Sequence, residues 1–87
     1  MRRYVVYVIE MVLLDGRKAS YVGTTVAIEK RVRDHELGRM SHLGPRTRKA
    51  RLAYVSRGYE SRDAAEIMER ELAQKLRRRG KRVLGGR

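Results

Sequence analysis

Five side chains in this sequence could together hydrolyse a phosphodiester bond with the help of one metal ion. Tyr7 and Tyr21 lie in β-branched, aromatic stretches, Tyr4-Val5-Val6-Tyr7-Val8-Ile9 and Tyr21-Val22-Gly23. A phenol titrates near ~10, so one acting as a general base needs cations close by; a packing tyrosine merely keeps its hydroxyl at the rim of a core. Arg31 and His35 stand four residues apart, one helical turn. Ile28, three residues before Arg31, sets the arginine at the margin of a core-facing stripe. From there a permanently charged planar fork can reach a cleft and meet the charge that develops on a phosphoryl group. Alternatively its stem covers apolar surface and its head reaches solvent. His35 has a similar choice, between orienting a proton donor or phosphate and standing as a plain surface residue.

The fifth group is an acid. In the second predicted helix Glu66 has Arg62 and Arg70 four residues to either side, Glu71 has Lys75 four residues on, and Asp63 sits in the first turn. Glu69 has Ala65 and Ala73 at those spacings and Leu72 at three, so no helical neighbour compensates it. A carboxylate bordering an apolar stripe needs a partner. A divalent metal ion would serve, and so would a loop donor or a distant arginine.

The elements that must hold these groups are short. Residues 4–9 alternate as a strand, with Val5, Tyr7 and Ile9 on one face and Tyr4, Val6 and Val8 on the other. Asp15-Gly16 turns the chain, and Ala19 to Gly23 returns as an antiparallel partner. Thr24 and Thr25 can cap a helix from Val26 to Leu37 that Gly38 stops. Residues 38–50, with Gly38, Gly44 and Pro45 among basic side chains, read as a mobile loop facing phosphates. Residues 51–56 give a third strand. Ser61 caps the second helix, whose stripe is Ala65, Met68, Leu72 and Leu76. The expectation is one domain over residues 1–80 and a basic, flexible tail over 81–87, with glycines at 80, 85 and 86.

Composition narrows the partners. At 87 residues with no cysteine, the chain can use neither disulfides nor thiolate metal sites, which fits a reducing cytoplasmic setting. No apolar run approaches the ~20 residues of a membrane span. The formal charge is +12, and it is unevenly spread. No acid lies between Glu36 and Glu60, where Arg39, Arg46, Arg48, Lys49, Arg51 and Arg57 stand, and none follows Glu71. Such a balance points to a nucleic acid. The basic C-terminal run carries few large apolar residues, which argues against a membrane surface.

The order and spacing of these residues resemble the GIY-YIG nuclease family, especially its small stand-alone members, from about Tyr4 to Lys81. Val5-Val6-Tyr7 resembles the family's first motif, keeping the tyrosine but not the glycine and isoleucine; Tyr21-Val22-Gly23 matches the second directly. The family's arginine, ten residues after the second-motif tyrosine, falls on Arg31, and its histidine or tyrosine one turn later falls on His35. Its single metal-binding glutamate, after a Ser-Arg-x-x-Ala start, falls on Glu69, with Glu71 as the alternative register. Some members carry a lysine after the second-motif glycine. Thr24 stands there in this chain, so Lys30, Arg33 or a loop residue would have to assist Tyr21.

The resemblance implies an α/β (α+β) fold, a small twisted three-stranded antiparallel sheet flanked by helices, with the site between them. It also implies a Mg²⁺- or Mn²⁺-dependent endonuclease acting on DNA, structure-specific in repair or recombination. Tyr7, Tyr21, Arg31, His35 and Glu69 would be its catalytic residues, and Glu69 the metal ligand. Lys30, Arg39, Arg46, Arg48, Lys49 and Arg51 would bind flanking phosphates, with RNA as the alternative polyanion and a monomer or weak homodimer as the working unit. The competing expectation is a non-catalytic basic DNA- or RNA-binding protein on the same fold.

Overall fold

β1 (Val5–Leu13) is apolar on both faces and runs through the middle of the sheet, as a strand covered on both sides should. The computed structural model describes residues 3–36 and 47–86, with the backbone alone described at 34–36 and 47–49. β2 (Lys18–Thr25) returns antiparallel to β1 through a turn at Asp15-Gly16, in register Tyr7 opposite Gly23 and Glu10 opposite Ser20. The turn is held by Leu13 N–H donating to the Arg17 carbonyl (2.8 Å) and by Arg17 N–H donating to Asp15 Oδ1 (2.9 Å). α1 (Ile28–Glu36) follows. Its entry is fixed by Ala27 N–H donating to Thr25 Oγ1 at 3.0 Å, so of the two expected caps Thr25 does the work. β3 (Thr47–Val55) pairs antiparallel with the other edge of β1, α2 (Arg62–Arg78) crosses the sheet, and β4 (Val83–Gly85) closes the order β3-β1-β2-β4.

Two expectations change here. The sheet has four strands rather than three, because Val83–Gly85 pair parallel with Ser20–Val22 where a frayed tail was expected. Ser20 N–H donates to the Arg82 carbonyl (2.9 Å), and Val83 and Leu84 are half-buried, one on each face. Gly85, at φ +69°, is needed where it lies: a Cβ there would meet the Val22 carbonyl oxygen at 2.5 Å. In addition, residues 47–50, expected in the basic loop, belong to β3. Register shifts in β3 at two points mark bulges, which a charged edge strand tolerates.

The helices lie on opposite faces. On one, Val6, Val8 and Val22 pack with Ala65 and Ala73 of α2, flanked by Tyr4, Tyr59, Leu72, Leu76 and Val83. On the other, Tyr7, Ile9, Met11 and Ala19 pack with Tyr21, and with Ile28 and Val32 of α1. α2 begins as expected, with Ser61 accepting from Ala64 N–H (3.1 Å). Its buried face is rotated from the expected stripe: Ala65, Glu69 and Ala73 turn inward, while Met68 is 38% exposed. Two alanines let the helix approach the strands closely, and that approach carries Glu69 inward with them. Among the described residues no helix is long and apolar enough to cross a membrane.

Candidate active site

The site begins with the pairing of Tyr7 and Gly23 across β1 and β2. The Tyr7 phenol lies over the glycine, and a Cβ on Gly23 would come within 2.6 Å of the Tyr7 hydroxyl and 3.0 Å of the Tyr21 ring. The glycine of Tyr21-Val22-Gly23 is therefore a space requirement, filled by a ring from the neighbouring strand. Tyr21, two residues earlier, faces the same side, with its ring centroid 6.1 Å from that of Tyr7 and the planes inclined by 34°. Tyr7 is 1% exposed, whereas Tyr21 is half-buried.

Burial pushes the ionisation of Tyr7 well above the ordinary tyrosine value of 10.0. Tyr21 and Glu69 act in the same direction, the Arg31 guanidinium acts against it, and the hydrogen bond to Tyr21 favours the protonated form. A hydrogen bond with that effect is one in which Tyr7 donates. Tyr7 is thus held as a phenol, in electrostatic contact with groups from β2, α1 and α2 at once.

Glu69 is 6% exposed. Thr24 Oγ1 donates to its Oε1 at 2.6 Å, and among the described residues no cation pairs with it. The sequence marks Thr24 as a candidate helix cap and as the residue standing where some relatives have a lysine. In the fold its hydroxyl holds the acid, 45 residues away along the chain. Glu71, the alternative register, is exposed. Among the described residues no three His, Cys, Asp or Glu side chains gather to cage a metal. A single carboxylate with one oxygen held by a hydroxyl fits Mg²⁺ or Mn²⁺, since such ions use one or two carboxylates and take the remaining ligands from water and substrate phosphate.

Arg31 is half-buried on α1. His35 is in α1 one turn later, its side chain outside the described residues. Of the expected phosphate contacts, Lys30 is exposed on α1, and Arg51 is exposed on β3 but ion-paired with Glu10 at 2.6 Å. The side chains of Arg48 and Lys49, and the whole of Arg39 and Arg46, lie outside the described residues.

A profile of the GIY-YIG catalytic domain matches residues 3–82. The chain belongs to the GIY-YIG family. It is a small member of this nuclease family, and its four-stranded sheet flanked by helices agrees with the GIY-YIG fold. Neither the curated proteins nor the solved structures gave a match. Within a GIY-YIG domain the Tyr-Val-Gly motif has a direct physical meaning in this chain: it seats the first-motif tyrosine.

Proposed function

We propose that the chain is a divalent-metal-dependent endonuclease that hydrolyses DNA phosphodiester bonds, acting on structured DNA in repair or recombination. The observation that carries this reading is the Tyr7–Tyr21 pair, with ring centroids 6.1 Å apart, beside which the charges of Arg31 and Glu69, from two further elements, both act on the buried Tyr7 phenol. Glu69 would hold the ion, and Mg²⁺ or Mn²⁺ when bound would supply Lewis-acid stabilisation to the scissile phosphate.

The other roles follow from environment. Tyr7, held protonated, donates to Tyr21 and fixes its orientation. Tyr21, the more accessible of the pair, gives its own proton to solvent and takes that of the attacking water. The water oxygen bonds to phosphorus as the P–O3′ bond breaks, and the 3′-oxygen leaves as a hydroxyl with a proton from solvent. Arg31 neutralises charge developing on the phosphoryl oxygens, and His35 positions the phosphate. Thr24 keeps Glu69 aimed from α2 towards the end of β2.

The test incubates purified wild type and Glu69→Ala with branched, nicked and single-stranded DNA in Mg²⁺, Mn²⁺ or EDTA. Wild type should cleave at least one substrate in metal and none in EDTA, and Glu69→Ala should bind DNA without cleaving it. Cleavage that persists in the variant or in EDTA would overturn the assignment of Glu69. Wild type that cleaves nothing would make the chain a binding protein on a GIY-YIG scaffold.

A further inference from the structure

On its side of the sheet, α2 covers Val6, Val8 and Val22 but stops short of the next part of the ladder, where Glu10 faces Ser20 and Val12 faces Lys18. There β3, β1 and β2 floor a concavity of about 930 Å³, with Gly80, Lys81 and Arg82 as its wall. Four cations line it, Lys18, Arg51, Lys81 and Arg82, against one acid, Glu10, which Arg51 already neutralises. Lys18, Lys81 and Arg82 make no ion pair among the described residues. The carbonyls at the end of α2, which would repel an anion, are occupied: Arg79, Gly80 and Lys81 N–H donate to those of Lys75, Leu76 and Arg77.

The floor carries a second sign. Ser20 is 6% exposed, shares the Glu10 face of the sheet and lines the concavity. Among the described residues its hydroxyl has no hydrogen-bond partner. A buried hydroxyl without a partner costs stability unless something from outside supplies one. Uncompensated cations around a buried donor are the chemistry that holds phosphate oxygens.

We propose that this concavity binds a phosphodiester of a second nucleic-acid segment, separate from the one presented to Tyr7 and Tyr21. Glu10 and Val12 are three and five residues along β1 from Tyr7, roughly 10–17 Å away, and they face the opposite side of the sheet. Thr24 and Glu69 bring the first segment to the α2 side only at the other end of the β1–β2 ladder, where Thr24 pairs with Val6. Between that end and the concavity α2 covers Val8 and Val22. A junction or flap, whose arms diverge, reaches both places. The inference rests on the nuclease reading for the place of the first segment, and it selects branched DNA as the substrate class.

The experiment measures fluorescence anisotropy in EDTA, where binding is read without turnover. It uses a labelled DNA junction and a linear duplex of equal length, with wild type, Lys81→Gln/Arg82→Gln, Lys18→Gln and Ser20→Ala. The double variant should lose about tenfold in junction affinity, and the slope of log affinity against log salt should shrink by about two for the junction alone. Lys18→Gln and Ser20→Ala should each weaken junction binding by a smaller factor, with unchanged duplex binding and a melting temperature no lower than that of wild type. Equal losses on both DNAs, or no loss on either, would overturn the proposal. A protein that discriminates junction from duplex in this way yet cleaves nothing would remove the nuclease reading and leave this site standing.

Discussion

Tyr7 is the residue whose surroundings have the plainest consequences. Its proton is held in the folded chain beyond the pH at which a free phenol releases it, near 10.0. Below that pH both the folded and unfolded chains keep the proton, and the group's contribution to stability is fully present. Above it the unfolded chain ionises first, so stability falls as pH rises towards the folded value. The urea midpoint of wild type should therefore drop between about pH 9.5 and 11.5, and that of Tyr7→Phe should drop less, because the ring remains and the titration is gone. A second residue-scale expectation concerns Thr24. Thr24→Val removes the only described donor to a buried carboxylate and should cost about 1–3 kcal/mol in chemical denaturation, with weaker Mn²⁺ binding measured by calorimetry. Glu69 was legible in the sequence because helical spacing shows which acids lack cations. Thr24 was not, since its partner is 45 residues away and nothing local marks the pairing.

At the scale of elements, close approach decides most of the site. Gly23→Ala would set a methyl against the Tyr7 hydroxyl at 2.6 Å, and the ring, buried among Ile9, Met11 and Tyr21, has little room to move. The variant should lose about 1–3 kcal/mol in urea denaturation and should also lose turnover, because the phenol pair is displaced. β4 is the other element with a measurable share. Truncation after Arg82 removes two half-buried side chains and the parallel partner of β2, and should lower stability by about 2 kcal/mol in the same assay. The hairpin, the Ser61 cap and the second helix could be read from the sequence because their signals are local: alternation, a turn dipeptide, a capping serine. β4 could not, since Val83 and Leu84 between basic residues and glycines show no alternation, and their pairing is parallel and distant. The start of β3 was hidden in a different way. Its Arg-Lys-Ala-Arg run has low strand propensity, but an edge strand needs only one pairing partner and tolerates charge.

For the whole molecule, placing the helices on opposite faces divides a small core into two, with β1 contributing to both. Periodicity showed that β1 has two apolar faces, but the side taken by each helix depends on connections that leave no periodic trace. The division puts the tyrosine pair and α1 on one face of the sheet and the basic concavity at the end of α2 on the other. It also determines how the protein comes apart. β1 pairs with a near neighbour, β2, through a short turn, and with β3, which arrives some forty residues later. Loss of β3 or of either helix alone leaves the hairpin paired, so the amides of β1 that point towards β2 are freed only when the hairpin itself opens. In native-state hydrogen exchange the β1 amides that point towards β2 should be the last to exchange, at the free energy of global unfolding, and those of β3, with Val6, whose N–H donates to Ser56 Oγ, should exchange earlier through partial openings. The strand that seats the buried phenol would then be the last part of the chain to lose its structure.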